Sequence, residues 1–105
     1  RAWRDASNGG WFSYRMQVDS AADLDLVCTD WGGDGGNRVF DLFMDDVKVG
    51  EQTLRAEHPG AFFDVAYRVP AERVRGRQFV VVKFHARPGA QAGGVFGCRF
   101  APIKP

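Results

Sequence analysis

Phe12, Tyr14, Met16 and Val18 alternate with Trp11, Ser13, Arg15 and Gln17, a period of two that predicts a half-buried β-strand with its even positions inward. Leu24, Leu26 and Cys28 repeat the pattern against Asp25, Val27 and Thr29. This run ends at Trp31, before the loop Gly32-Gly33-Asp34-Gly35-Gly36-Asn37, whose glycines exclude a helix. Val39 to Met44 is apolar apart from Asp41 and leads through Asp45-Asp46 into Val47-Lys48-Val49, a β-hairpin in which Asp46 has to accept a positive φ. Phe63, Val65, Tyr67 and Val69 form the inward side of a further strand, with Phe62 on its outer side. Gln78 to Ala86, containing Phe79-Val80-Val81-Val82, predicts a central strand buried on both faces. Val95 to Ala101 predicts the last strand, with Phe96, Cys98 and Phe100 inward. Proline at 70 and glycine at 76 bracket the one helical turn the pattern allows.

Seven or eight short strands separated by Gly, Pro and Asp turns predict an all-β fold, an antiparallel two-sheet β-sandwich that is jelly-roll-like. Its expected core is Phe12, Tyr14, Met16, Leu26, Leu42, Met44, Phe63, Val65, Val82, Phe84, Phe96 and Phe100. The glycine pairs Gly9-Gly10 and Gly93-Gly94 each stand directly before an apolar run, where the backbone is expected to enter a sheet. At 105 residues the chain has the size of one domain, 1–105. It begins at Arg1 without a methionine, which points to a piece excised from a longer polypeptide or to a processed one.

Charge narrows the partners. Fourteen Lys and Arg stand against 13 Asp and Glu, a formal net charge of +1, and the basic residues are scattered. Neither a nucleic acid nor an anionic membrane is favoured by that arrangement, whereas neutral or small partners fit it. No apolar run approaches the roughly 18 residues of a membrane span. The two cysteines, Cys28 and Cys98, both fall on the inward parity of their strands, which suits either buried free thiols or an internal disulfide.

Catalytic chemistry finds no cluster of residue types to carry it, so no catalytic residue and no cofactor or metal is expected. Asp45 and Asp46 read as turn residues and Asp41 as a salt-bridged strand residue. No Gly-x-Ser-x-Gly element occurs, His58 stands in a loop beside Pro59, and His85 stands at the outward end of a strand. The Gly32 to Asn37 loop has no lysine and no following helix, which excludes a phosphate cradle. Asp30, Asp34 and Asn37 carry oxygens of the kind calcium takes, without a complete ligand spacing. The functional signal that remains is aromatic. Trp11, Trp31 and Phe62 point away from the core by strand parity, and Asp34, Arg38 and His85 are polar companions. Such rings either stack on sugars or dock against a neighbouring domain.

Several stretches carry a resemblance: Trp3-Arg4-Asp5-Ala6, Gly9-Gly10-Trp11-Phe12-Ser13-Tyr14, Val27-Cys28-Thr29-Asp30-Trp31-Gly32-Gly33-Asp34, Gly36-Asn37-Arg38-Val39-Phe40-Asp41 and Ala92-Gly93-Gly94-Val95-Phe96-Gly97. With Gln52-Thr53-Leu54, Pro59 to Val65 and Val82-Lys83-Phe84, they cover nearly the full chain. The chain resembles the C-terminal β-sandwich of bacterial β-L-arabinofuranosidase-type glycoside hydrolases. The resemblance implies that catalysis belongs to an upstream (α/α) barrel with a glutamate and a zinc-held cysteine cluster. None of those motifs occurs here, and no catalytic role passes to Cys28 or Cys98. It implies further an exported, periplasmic or secreted bacterial enzyme acting on arabinose sugars. The expectation is therefore a non-catalytic accessory domain packed on that barrel, with an autonomous carbohydrate-binding module as the alternative. Asp46 departs from the pattern where a hairpin glycine is expected.

Overall fold

The computed structural model describes residues 3–18 and 22–103. The runs of period two become strands, in chain order β1 (Arg4–Ser7), β2 (Trp11–Gln17), β3 (Leu24–Trp31), β4 (Arg38–Met44), β5 (Val47–Leu54), β6 (Phe62–Val69), β7 (Phe79–Ala86) and β8 (Gln91–Pro102). The helical signal is one 3-10 turn, Ala71–Arg73. The strands form two four-stranded sheets, ordered β1-β8-β3-β6 and β2-β7-β4-β5, in which every pairing is antiparallel. This is jelly-roll order, in which the first and last strands lie side by side.

Alternation buries one face of each sheet against the other. Leu26, Cys28, Val69, Ala92 and Val95 of the first sheet meet Phe40, Leu42, Met44, Val80, Val82, Phe84 and Ala86 of the second. Phe84 is fully enclosed at the centre. Its ring stacks on Phe12 with centroids 4.9 Å apart, takes the edge of Tyr14 at 6.0 Å, and lies 6.3 Å from Phe40. Phe12, Tyr14, Met16, Phe63, Val65 and Phe100 are partly buried and pack against this cluster. The β4–β5 hairpin forms on Asp45 and Asp46, which take φ values of 46° and 67°. Two consecutive aspartates thus adopt the left-handed turn that glycine normally supplies.

Three local expectations are corrected. β7 is central in its sheet but is buried on one face only, since Phe79 and Val81 are exposed while Val80 and Val82 are not. β8 begins at Gln91, so Gly93-Gly94 lies inside a strand instead of ahead of it. Phe96 leaves the core. Thr29 pairs with Gly97 while Asp30 pairs with Val95, so Phe96 is the extra residue of a bulge, and the parity flips there. Val95 takes the inward place, and Phe96 joins the outer face.

Candidate functional site

Four aromatic rings form a row on the outer face of the β1-β8-β3-β6 sheet. Trp31 ends β3 and is the register partner of Phe62 at the head of β6, with ring centroids 4.8 Å apart. Phe62 meets Phe96 of the β8 bulge at 4.9 Å, and Phe96 meets Trp3, just ahead of β1, at 6.0 Å. The interplanar angles are 65°, 76° and 46°, so the row is twisted. Missing side chains beneath it let both indoles settle on backbone. A Cβ at Gly94 would come within 3.0 Å of Trp3 Cδ1, and one at Gly33 within 2.8 Å of Trp31 Nε1.

Beside this row Trp3 and Phe96 form one wall of a cavity of about 380 Å³, completed by Asp5, Asp34, Arg38 and Gly94. Arg38 opens β4 in the opposite sheet and reaches across. Its Nη1 donates to the Gly93 carbonyl at 2.7 Å, its Nη2 lies 3.8 Å from Asp34 Oδ1, and its buried Nε has no partner among the described residues. Asp34 Oδ2 accepts a long bond, 3.3 Å, from Gly94 N, and Asp5 Oδ2 accepts from Gln91 Nε2 at 3.1 Å. The two contacts of Asp34 are long and leave its carboxylate hydrogen-bonding capacity, and the second oxygen of Asp5 has capacity beyond its bond to Gln91. On the far side of the row Asp64 accepts from Thr29 Oγ1 at 2.6 Å and from Arg99 Nη2 at 3.2 Å.

Asp30 lies under this region, between the sheets. Its side chain is buried, and neither carboxylate oxygen has a partner among the described residues. Burial, with the neighbouring carboxylates of Asp34 and Asp64, pushes its carboxyl up to about 7. One step along β3, Cys28 faces Cys98 of β8 with the sulfurs 3.7 Å apart, and both are free thiols. Hydrogen bonding to Cys98 and burial push the Cys28 thiol up, so it is held protonated.

The sequence candidates divide between two faces. Trp31, Asp34, Arg38 and Phe62 come together as described, whereas Trp11 and His85 pair across β2 and β7 on the outer face of the other sheet. There Trp11 is 60% exposed, and Val81 and Phe79 follow further along the same face, opposite Arg15 and Gln17, with the Arg15 guanidinium 4.1 Å from the Phe79 ring centroid. The Lys83 ammonium lies 5.7 Å from the Trp11 ring and 5.3 Å from Phe43. A cavity of about 420 Å³ lies among Trp11, Ser13, Asp45, Asp46, Val81 and Lys83. Asp45 accepts from Arg77 Nη1 at 2.7 Å and from Val81 N at 2.9 Å, and Asp46 faces Lys83 at 3.6 Å. His85 Nε2 is engaged with the Gly9 carbonyl at 2.9 Å. A third cavity, about 400 Å³, is lined by Gly32, Asp34, the 51–58 segment and Phe63, whose ring lies 4.5 Å from that of the exposed His58.

Sequence reading missed Trp3 and Asp5 as members of the site and placed Phe96 in the core. The signal that could have found them is the glycine-rich 93–97 segment, which bulges against β1 at Gly94 and against β3 at Phe96. Among the described residues no group of three or more His, Cys, Asp or Glu side chains is arranged to hold a metal ion. Asp30 turns inward, and Asn37 Nδ2 donates to the Gly89 carbonyl at 2.6 Å, so the calcium ligand set of Asp30, Asp34 and Asn37 is not assembled.

Comparison with known families matches residues 1–101 to one family model. The chain belongs to DUF6805. That family is described as one of unknown function, so the aromatic row and its cavity are the chemistry this DUF6805 sandwich itself offers. No curated protein and no solved structure matches the chain.

Proposed function

We propose that the chain is a non-catalytic accessory β-sandwich of a bacterial glycoside hydrolase of the β-L-arabinofuranosidase type. It packs on and stabilises the catalytic (α/α) barrel of the same exported polypeptide. The observation that carries this reading is the outer face of the β2-β7-β4-β5 sheet, where Trp11, Phe79 and Val81 expose 60%, 44% and 42% of their surface. The cations beside them lie over the rings, Lys83 by Trp11 and Arg15 over Phe79, which suits a face covered by another protein surface. The ordered motif matches along the chain supply the hydrolase assignment.

The test is to express the polypeptide encoded upstream of Arg1 together with the 105-residue chain as separate pieces and to measure their association. Association that is lost in Val81→Asp and weakened at least about tenfold in Trp11→Ala supports the reading, since central aromatic anchors of an interface carry that much. Association indifferent to both substitutions overturns it. So does turnover of an aryl arabinofuranoside by the 105-residue chain alone that a carboxylate substitution abolishes. A second reading, glycan binding, is favoured by the opposite face, where aromatic and uncommitted polar groups converge.

A further inference from the structure

We propose that Trp3, Phe96, Asp5, Asp34 and Arg38 form the binding site for one ring of a neutral oligosaccharide, whose following units run along Phe62 and Trp31. The inference rests on the glycan-processing reading above and gives it a ligand and a place.

The ligand class follows from the groups present. A sugar ring has an apolar C–H face and a rim of hydroxyls, and the cavity offers a partner for each. Trp3, 61% exposed, and Phe96 supply aromatic faces, Asp5 and Asp34 supply acceptors, and the part-exposed Arg38 guanidinium, whose Nη2 is only 3.8 Å from Asp34, supplies a donor. About 380 Å³ is the small end of ligand pockets, room for a single ring and not for a large cofactor. Two carboxylates facing one guanidinium leave the site acidic, which disfavours uronates and phosphorylated glycans. The rings touch in succession at 6.0, 4.9 and 4.8 Å, the last two edge to face, and form one continuous apolar strip leading away from the cavity. Its twist fits a single bent chain and not a flat crystalline surface.

The charges on this face also differ from those around Trp11. There Asp45 is held by Arg77 at 2.7 Å and by the Val81 amide at 2.9 Å, whereas Asp46 is exposed with Lys83 at 3.6 Å. Here the Arg38–Asp34 pair is 3.8 Å apart and the Gly94–Asp34 bond is 3.3 Å long, so a ligand hydroxyl can take up both without breaking a strong contact.

Tryptophan fluorescence and amide chemical-shift mapping test the site on the 105-residue chain, with arabinotriose, xylotriose, cellotriose and trigalacturonate as probes. At least one neutral trisaccharide is expected to bind and to shift the resonances of residues 3–5, 34, 38 and 94–96, with no response to trigalacturonate. Trp3→Ala, at an exposed position ahead of β1, should weaken binding about tenfold or more, and Asp5→Ala several-fold, while Trp11→Ala leaves it unchanged. Four outcomes overturn the proposal: no neutral probe bound at roughly 10 mM, binding unaffected by Trp3→Ala, stronger binding of trigalacturonate, or self-association of the chain that Trp3→Ala abolishes. Loss of barrel association in Trp3→Ala would also overturn it, by making this face the packing surface. Failure of the sugar titration alone leaves the association measurement with Val81→Asp untouched, so the two readings fall separately.

Discussion

Replacing Asp30 by asparagine should make the protein more stable above neutral pH while leaving it nearly unchanged near pH 4. The carboxyl is buried between the sheets opposite Phe63 and Val95, has no hydrogen-bond partner among the described residues, and is repelled when ionised by Asp34 and Asp64. Its folded-state value of about 7 stands roughly three units above the ordinary 3.8. Below about pH 4 both folded and unfolded chains hold the proton, and no penalty arises. Between about 4 and 7 the unfolded chain releases the proton while the folded chain keeps it, so stability falls as pH rises. Above about 7 both states are ionised, and the whole penalty, at about 1.4 kcal/mol per unit a ceiling near 4 kcal/mol, is present. Asp30→Asn keeps the shape and removes the charge, so the difference between variant and parent should grow from near zero at pH 4 toward that ceiling at pH 8. Asp41, held low chiefly by its hydrogen bond with Arg87, and Glu51, held low chiefly by Lys48, act in the opposite sense. They lose their contribution as pH falls through their depressed values, and they cancel in the difference because both proteins contain them. Urea midpoints at pH 4.5, 6 and 8, with unchanged slopes, give the comparison. Parallel profiles for the two proteins would refute the burial of an ionisable carboxylate at position 30.

Phe84→Ala removes the ring on which Phe12, Tyr14 and Phe40 converge and should cost about 3 to 5 kcal/mol, read as a large drop in melting temperature; an unchanged melting temperature would show that β7 is out of register. Cys28 and Cys98 are register partners on neighbouring strands, so oxidised glutathione should exchange its S–S bond for one between them, leaving as two molecules of reduced glutathione that carry the two electrons and two protons. Mass spectrometry should then find two hydrogens lost and the melting temperature raised, by a stabilisation of about 2–4 kcal/mol. Two thiols still open to alkylation in urea after prolonged oxidation would contradict this.

The sandwich was legible because its strands keep strict alternation wherever one face is buried. Leu24, Leu26 and Cys28, and Phe63, Val65, Tyr67 and Val69, all face inward as the period requires. The pattern failed where another force set the backbone. β1 is Arg-Asp-Ala-Ser, an edge strand with no apolar alternation to betray it. The Phe79 to Val82 run reads as doubly buried because hydrophobicity alone cannot tell a covered face from an exposed one. Phe96 was misassigned because parity counted from Cys98 does not survive a bulge. For the site, parity told inward from outward but not one sheet from the other. Trp11 and Trp31 are both outward, yet the jelly-roll crossover puts them on opposite sides of the molecule.

That crossover also explains why the proposed sugar site draws on both ends of the chain. Trp3 and Asp5 come from the first strand region, Gly94 and Phe96 from the last, and they meet because β1 and β8 are neighbours. Arg38 ties this edge to the second sheet through the Gly93 carbonyl. β1 contributes no residue to the core cluster, so nothing in the packing requires a tryptophan at its head, and burial does not stabilise a side chain left 61% exposed. Gly94 has nonetheless given up its side chain to let that indole lie against the strand. A large ring held open to solvent over a backbone cleared to receive it, beside a guanidinium and two carboxylates lining one cavity, is arranged for a ligand with both an apolar face and hydroxyls. Trp11 is equally exposed but has the Lys83 ammonium 5.7 Å from its ring and Asp45, already bound by Arg77 and the Val81 amide, in its cavity, which is why the two faces are assigned different partners.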